Sequence, residues 1–200
     1  MYSVGMRRNS YYDITDARAW LPGVRKCYSP NFDERPADAE VELLVVHNIS
    51  LPPNQFGTGC IEQFFCNALD PGQHSYFRTI DTLKVSSHYL IDRSGACTQF
   101  VSNLNRAWHA GVSSFEGRER CNDFSIGIEL EGADLIPYTQ AQYLSLARLC
   151  NQIISLFPAA GKNRIVGHSD IAPGRKTDPG DAFDWRYFAK LRAQEPAERS

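Results

Sequence analysis

VELLVVHNIS, residues 41–50, is the most informative stretch of the chain. Its residues 43–46 are apolar without interruption and partly β-branched, a pattern typical of a strand that is buried on both faces. FSIGIELEG, residues 124–132, has the same character before it turns acidic, and RIVGH, residues 164–168, is a third short strand. Because such strands alternate with helical patterns, the sequence predicts a single α/β domain with a central mixed sheet that helices flank.

Two further strands and a long helix complete this pattern. Residues 86–92 and 97–102 have strand character, and the short segment around Gly95 that joins them suits a hairpin. Thr139 is expected to cap a helix whose apolar residues recur at helical spacing as far as Phe157.

The composition excludes several classes of protein. The 200 residues are 42% hydrophobic and 22% charged, as in a globular protein that buries its own core. A formal net charge of -2 without a basic stripe excludes nucleic acid as a partner. No run approaches the roughly 20 apolar residues of a membrane span, and no secretory signal follows Arg7 and Arg8. We therefore expect a cytoplasmic protein without a membrane partner.

The cysteines are irregularly spaced and contain no C-x-x-C pair. In a chain without an export signal, this pattern predicts reduced thiols that act mainly as small apolar side chains. The six cysteines are Cys27, Cys60, Cys66, Cys97, Cys121 and Cys150.

Each of the three apolar runs leads into a side chain that can take part in chemistry, namely His47, Glu129 and His168. Ligand sites on such sheets gather at strand ends, so neighbouring strands would bring these side chains together. Two imidazoles and a carboxylate, with a fourth position open to water, are a ligand set of catalytic zinc. Asp178 is a candidate carboxylate, because a loop with Pro and Gly can fold it back towards His168.

Two further charged residues suit hydrolysis at such a site. Lys176 is two residues before Asp178, so an extended backbone projects both side chains to one side, where a cation can stabilise an oxyanion. Glu129 can take a proton from a water whose pKa a metal has lowered. Glu131 shares a strand face with Glu129, and periodicity does not choose between them; we select Glu129 because it directly ends the apolar run.

The remaining histidines have simpler interpretations. His74 in a loop and His88 in a strand are expected to be hydrogen-bonded structural residues rather than ligands. His109 follows Trp108 within residues 103–123, a polar segment that predicts a surface loop. Substrate contact and simple burial both remain open for this Trp-His pair.

Three longer segments carry a resemblance to a known family. They are VVHNISLPP (45–53), RAWHAGVSSFEGRERCNDFSIGIELEG (106–132) and GHSDIAPGRKTDPGDAFDW (167–185). Together they resemble the AmpD-type 1,6-anhydro-N-acetylmuramyl-L-alanine amidases, a branch of the zinc amidases that is also similar to the peptidoglycan recognition proteins. The resemblance extends from about residue 28 to about residue 188.

Carried over position by position, the resemblance implies a role for each site residue. His47, His168 and Asp178 would bind Zn²⁺, Glu129 would be the catalytic base, and Lys176 would stabilise the oxyanion. The implied substrate-binding residues are Asn48, Tyr76, Lys84, Trp108, His109 and Arg120. Lys84 stands where relatives are expected to carry Arg, which keeps the charge but loses the fork geometry of a guanidinium.

The resemblance also implies a physiological role. It predicts a cytosolic bacterial enzyme that removes the peptide from muropeptides during peptidoglycan recycling and thereby limits β-lactamase induction. We expect a monomer with an irregular N-terminal lead-in (1–40), a zinc amidase catalytic domain (41–190) and a C-terminal tail (191–200).

Three other functions compete with this prediction. An amidase that acts on intact peptidoglycan outside the cytoplasm would need an export signal. A non-catalytic peptidoglycan-binding module would have lost a zinc ligand, whereas the implied ligand set is complete here. A zinc peptidase of the H-E-x-x-H type is disfavoured because the chain lacks that motif.

Overall fold

The structure is a computed structural model that describes residues 16–161 and 163–194. The strands in these ranges are β1 (Arg25–Lys26), β2 (Phe32–Glu34), β3 (Leu43–Ile49), β4 (Tyr89–Ile91), β5 (Cys97–Gln99), β6 (Asn105–Ala107), β7 (Ser114–Phe115), β8 (Arg118–Glu119), β9 (Ser125–Glu131) and β10 (Ile165–Gly167). The α-helices are α1 (Cys60–Phe65), α2 (Gln140–Leu156), α3 (His168–Ile171) and α4 (Trp185–Gln194).

Six strands form the central sheet, in the order β1-β5-β4-β9-β3-β10. The predicted hairpin is present, since β4 and β5 pair antiparallel. The other neighbouring pairs are parallel. The prediction of an α/β domain with a central mixed sheet is therefore confirmed. Two small antiparallel sheets, β2-β6 and β7-β8, lie outside it.

The two central strands, β3 and β9, position the functional residues. They pair in parallel register, with Val46 opposite Ile128 and His47 opposite Glu129. Side chains alternate between the faces of a sheet, so Val46 and Ile128 point to one face, where they pack in the main core with residues of α2 and α4. His47 and Glu129 consequently lie on the opposite face.

The long helix begins and ends where the sequence predicts. Thr139 caps α2 through a capping box, in which its hydroxyl accepts from the amide of Gln142 and the Gln142 side chain accepts from the amide of Thr139. The helix ends at Leu156, and Phe157 is its C-cap. Leu146 and Cys150 on its inner face are fully buried against the sheet.

Three segments differ from the sequence prediction. The lead-in expected to be irregular contains β1 and β2, while its residues 1–15 lie outside the described residues. The predicted surface loop 103–123 contains β6 and the β7-β8 hairpin. Helix α4 continues to Gln194, beyond the predicted domain end at residue 190. Strands of two or three residues are too short to show a side-chain periodicity in the sequence. Backbone hydrogen bonds hold them in place, and directly after β1 the amide of Cys27 donates to the carbonyl of Gln99.

Among the described residues, none of the helices is both long enough and apolar enough to cross a bilayer. All six cysteines carry free thiols in the structure.

Candidate metal centre and active site

The strands β9, β3 and β10, which lead into the three candidate side chains, are adjacent in the sheet. His47 lies in β3, two residues before its end at Ile49, so the strand runs further than the apolar pattern indicates. Gly167, the last residue of β10, is opposite Val46, and His168 therefore emerges beside His47 as the first residue of α3. The loop after α3 then returns Asp178 to the two histidines.

Three ligand atoms converge at this point. His47 Nδ1 lies 2.9 Å from His168 Nδ1 and 3.1 Å from Asp178 Oδ2, and His168 Nδ1 lies 3.0 Å from the same carboxylate oxygen. Ligands on a tetrahedral zinc ion with bonds of about 2.0–2.1 Å are separated by roughly 3.3 Å. The donor set and its spacing therefore fit a zinc ion with only a slight expansion.

Hydrogen bonds at the Nε2 atoms of His47 and His168 decide which ring nitrogens carry protons. His168 Nε2 lies 3.0 Å from the carbonyl oxygen of Ala110, which can only accept, so the neutral ring bears its proton on Nε2 and a lone pair on Nδ1. His47 can do the same, because His109 Nδ1 lies 2.9 Å from its Nε2. In that state three lone pairs point at one position, an arrangement that a cation stabilises.

The electrostatics of the cluster favour its ligand-competent protonation state. Burial lowers the pKa of His47 to about 4, although its hydrogen bond to Asp178 opposes the shift. Burial raises the pKa of Asp178, but hydrogen bonds from His168 and His47 outweigh this and hold it well below its ordinary value. Neutral imidazole and ionised carboxylate are the forms that bind metal, so little proton release is needed near pH 7.

Glu129 and Glu131 have different environments, although they share a strand face. Glu129 is only 8% exposed, it lines the cleft beside the histidines, and its Oε2 has no hydrogen-bond partner among the described residues. Burial, followed by the charge of Asp178, raises its pKa well above the ordinary value. The carboxylate of Glu131 instead accepts from the amides of Gly57 and Arg93. Of the two, only Glu129 is free to exchange a proton with a ligand in the cleft.

A cleft of about 370 Å³ opens over the cluster, and Lys176 lies on its wall. Four of the predicted substrate-binding residues also line it: Asn48, Tyr76, Trp108 and His109. A larger groove, of about 830 Å³, lies near Arg35 and Phe157 and is lined by none of the predicted site residues. We assign the chemistry to the smaller cleft, because the ionisable groups converge there.

Lys84 and Arg120 do not lie on the walls of this cleft. Lys84 is exposed. Arg120 lines a separate depression with Gly111 and Arg175, and its guanidinium forms an ion pair with Asp123 at 3.3 Å. Their roles in substrate binding remain predictions.

The profile of the N-acetylmuramoyl-L-alanine amidase family matches residues 37–181 of the chain. The chain belongs to this amidase family. The match includes His47, His168, Asp178, Glu129 and Lys176.

Individual relatives agree with this assignment. The amidase is 54% identical over 173 residues to the 1,6-anhydro-N-acetylmuramyl-L-alanine amidase AmpD of Haemophilus influenzae, covering 86% of this chain and 94% of that protein. A crystal structure of a selenomethionine AmpD derivative superposes with a TM-score of 0.84 at 54% identity, covering 87% and 97% of the two chains. The Escherichia coli amidase AmiD, solved with anhydro-N-acetylmuramic acid-L-Ala-D-γ-Glu-L-Lys, is 28% identical with a TM-score of 0.57, covering 80% and 65%.

The contacts that His109 makes in this amidase could not be predicted from the sequence. His109 was expected to contact substrate or to be buried, but its two ring nitrogens contact His47 and the Ser125 hydroxyl. The backbone amides of His109 and Ala110 both donate to the side-chain oxygen of Asn122, which fixes the segment that contacts His47 and His168. The available signal was Gly127, a glycine inside a buried strand, where a Cβ would lie 2.5 Å from the His109 ring.

Proposed function

We propose that this amidase is a zinc enzyme that hydrolyses the amide bond between 1,6-anhydro-N-acetylmuramic acid and L-alanine in muropeptides. The observation that carries the proposal is the convergence of His47, His168 and Asp178 in the cleft that Glu129 also lines. One carboxylate oxygen of Glu129 has no hydrogen-bond partner within residues 16–161 and 163–194. The high identity to an AmpD amidase over most of both chains supports this substrate class. We further propose a cytoplasmic role in peptidoglycan recycling, which limits β-lactamase induction.

The reaction adds water to the lactyl carbonyl carbon and breaks its bond to the alanine nitrogen. A zinc ion, when bound, supplies a Lewis acid that polarises the carbonyl and lowers the pKa of water. Glu129 accepts the proton of the attacking water and returns it to the leaving amine. The ammonium group of Lys176 faces the negative charge that develops on the carbonyl oxygen.

The environment of Glu129 suits both halves of this proton transfer. A general base is most efficient when its pKa lies near the working pH, and burial shifts the pKa of Glu129 in that direction. The same shift makes the protonated carboxyl a usable acid when the amine leaves. Glu131 is held by two backbone amides and cannot replace it.

The remaining cleft walls offer groups for a sugar and a short peptide. Trp108 presents an aromatic surface while its indole N–H is engaged by Asp33 at 3.1 Å. Asn48 lines the cleft with its amide nitrogen bound to Asp134 and to the carbonyl of Pro179. The exposed ring of Tyr76 is available from the rim. We propose that a monomer binds the muropeptide here.

Release of free peptide from an anhydro-muropeptide tests the proposal, with intact sacculi as the competing substrate. We expect rapid release from the anhydro-muropeptide, slow release from sacculi, and loss of both after chelation with recovery on adding Zn²⁺. Substrate binding without peptide release in the zinc-loaded protein would indicate a binding module. Rapid digestion of sacculi would contradict the recycling role, as would recovery of the protein outside the cytoplasmic fraction of its native cell.

A further inference from the structure

Two free thiols meet outside the active-site cluster. Sγ of Cys27 lies 3.4 Å from Sγ of Cys66, and both residues are partly buried. Cys27 directly follows β1 at the edge of the central sheet, and Cys66 is the C-cap of α1. Cys60, Cys121 and Cys150, by contrast, are buried. The pair therefore combines proximity with partial access to solvent.

The backbone around each thiol is fixed independently of the sulfur contact. The amide of Cys27 donates to the carbonyl of Gln99 at 3.0 Å, and that of Cys66 donates to the carbonyl of Glu62 at 3.0 Å. An ion pair between Arg25 and Glu62 also joins β1 to α1. The two sulfur atoms are thus held together by the fold.

A second set of hydrogen bonds ties the two segments together. The hydroxyl of Ser29 donates to the carbonyl of Phe65 at 2.6 Å, and the side-chain amides of Asn31 and Asn67 bind each other at 3.0 and 2.9 Å. Segments that are already docked lose little further conformational freedom when their side chains are joined. This arrangement favours an intramolecular bond over reaction with a second molecule.

We propose that Cys27 and Cys66 form an oxidative modification site, at which a peroxide converts the two thiols into a disulfide. One sulfur attacks a peroxide oxygen, the O–O bond breaks, and a sulfenic acid and water result. The second sulfur then attacks the sulfenic sulfur, forms the S–S bond and displaces the hydroxyl group, which leaves as water with the thiol proton. In total, two thiols and hydrogen peroxide give one disulfide and two waters.

The surroundings affect the protonation of Cys66. Burial and the neighbouring Cys27 thiol raise the pKa of Cys66 to about 12, so Cys66 stays protonated at neutral pH. A disulfide is about 2.05 Å long, so the sulfur atoms must approach by roughly 1.3–1.4 Å.

The bond would strengthen one wall of the cleft. Phe64 and Phe65, at the end of α1, line the cleft directly before Cys66. A disulfide would covalently tie this wall to the sheet edge and close a loop that contains β2 and β3. A crosslink over a loop of this length restricts the unfolded chain, so we expect a rise in Tm of about 5–15 °C.

The test treats the full zinc-loaded chain with stoichiometric hydrogen peroxide, alkylates the remaining thiols and maps the digest by mass spectrometry. We expect a peptide pair linked through Cys27 and Cys66, a higher Tm, and reversal of both by dithiothreitol. Cys27→Ser and Cys66→Ser should each show no rise in Tm after peroxide treatment, whereas the control Cys60→Ser should form the same linked pair as wild type.

One result would overturn the proposal, and a second would contradict the expected stabilisation. The first is that Cys27 and Cys66 remain unlinked in the wild-type protein while peroxide oxidises other thiols or carries Cys27 to the sulfinic acid. The second is a linked pair whose Tm equals that of the reduced protein, which would remove the stabilising role. Neither readout depends on the amidase reaction, so failure here leaves the proposed function intact.

Discussion

His47 Nε2 lies 2.9 Å from His109 Nδ1, so a candidate metal ligand has a second imidazole as its partner. Nε2 of His109 lies in turn 3.1 Å from the hydroxyl of Ser125. Metal-binding histidines commonly donate their other ring N–H to an acceptor that fixes the tautomer and orientation of the ring. The pair therefore keeps the lone pair of His47 Nδ1 directed at the metal position.

Two substitutions at His109, whose new side chains are nearly isosteric with each other, test this role. His109→Asn keeps an oxygen close to the position of Nδ1 that can accept from His47, whereas His109→Leu does not. We expect the Leu variant to bind zinc about 10–100-fold more weakly and the Asn variant to retain most of the affinity. Competition with a chromophoric chelator measures both constants. Equal loss in the two variants would show that His109 acts through packing alone.

Gly127→Ala should disturb the same ring by steric contact. The added Cβ would lie 2.5 Å from Cγ of His109, closer than packed atoms approach. We expect a loss of about 1–3 kcal/mol in the free energy of unfolding, typical of overpacking. In a His109→Ala background, Gly127→Ala should cost much less stability. Urea unfolding of the wild type, the two single variants and the double variant completes the double-mutant cycle. An unchanged cost in that background would contradict the contact.

Asp178→Ala and Glu129→Ala should separate metal binding from proton transfer. Asp178 supplies one of the three converging ligand atoms, so its removal should abolish both zinc binding and peptide release. Glu129→Ala should keep stoichiometric zinc and lose turnover by roughly 10²-fold or more, the usual size of a general-base effect. Metal analysis beside the peptide-release assay distinguishes the two. An active Glu129→Ala protein would remove Glu129 from the mechanism.

The parts of the site carried by regular strands could be predicted from the sequence. Continuous apolar runs identify β3 and β9, and a parallel pairing of such strands places His47 beside Glu129. Asp178 was less certain, because the return of its loop depends on tertiary contacts and not on a periodic pattern. The resemblance to a known family identified Asp178 as the third ligand of the predicted metal site.

Other side-chain orientations in and near the site depend on contacts between segments that are distant in sequence. No local pattern shows that His109 would turn both nitrogens towards the protein, or that two amides of Gly57 and Arg93 would occupy Glu131. Arg120 has a positive φ of 62° and points its guanidinium at Asp123. Such orientations follow from packing and hydrogen bonding in three dimensions, which residue spacing does not encode.

His88 was expected to be a structural histidine, and its contacts support that interpretation. It is fully buried, its Nδ1 accepts from the amide of Gly127, and its Nε2 lies 3.1 Å from the carbonyl oxygen of Asn105. The carbonyl requires a proton on Nε2, so the guanidinium of Arg35, 3.1 Å from the same nitrogen, faces a donor. Burial and then this positive charge hold the pKa of His88 well below 6.5.

The sign of the resulting pH dependence follows from the lowered pKa. Below about pH 6.5 the unfolded chain protonates His88 while the folded protein does not, so stability is complete above that pH and falls as the pH decreases. His88→Asn retains an acceptor for the amide of Gly127 but cannot titrate. Between pH 6 and 5, the free energy of unfolding of the metal-free wild type should therefore fall more steeply, by at most about 1.4 kcal/mol per pH unit. Parallel curves would show that the folded protein and the unfolded chain bind the same number of protons at His88, which would contradict the lowered pKa.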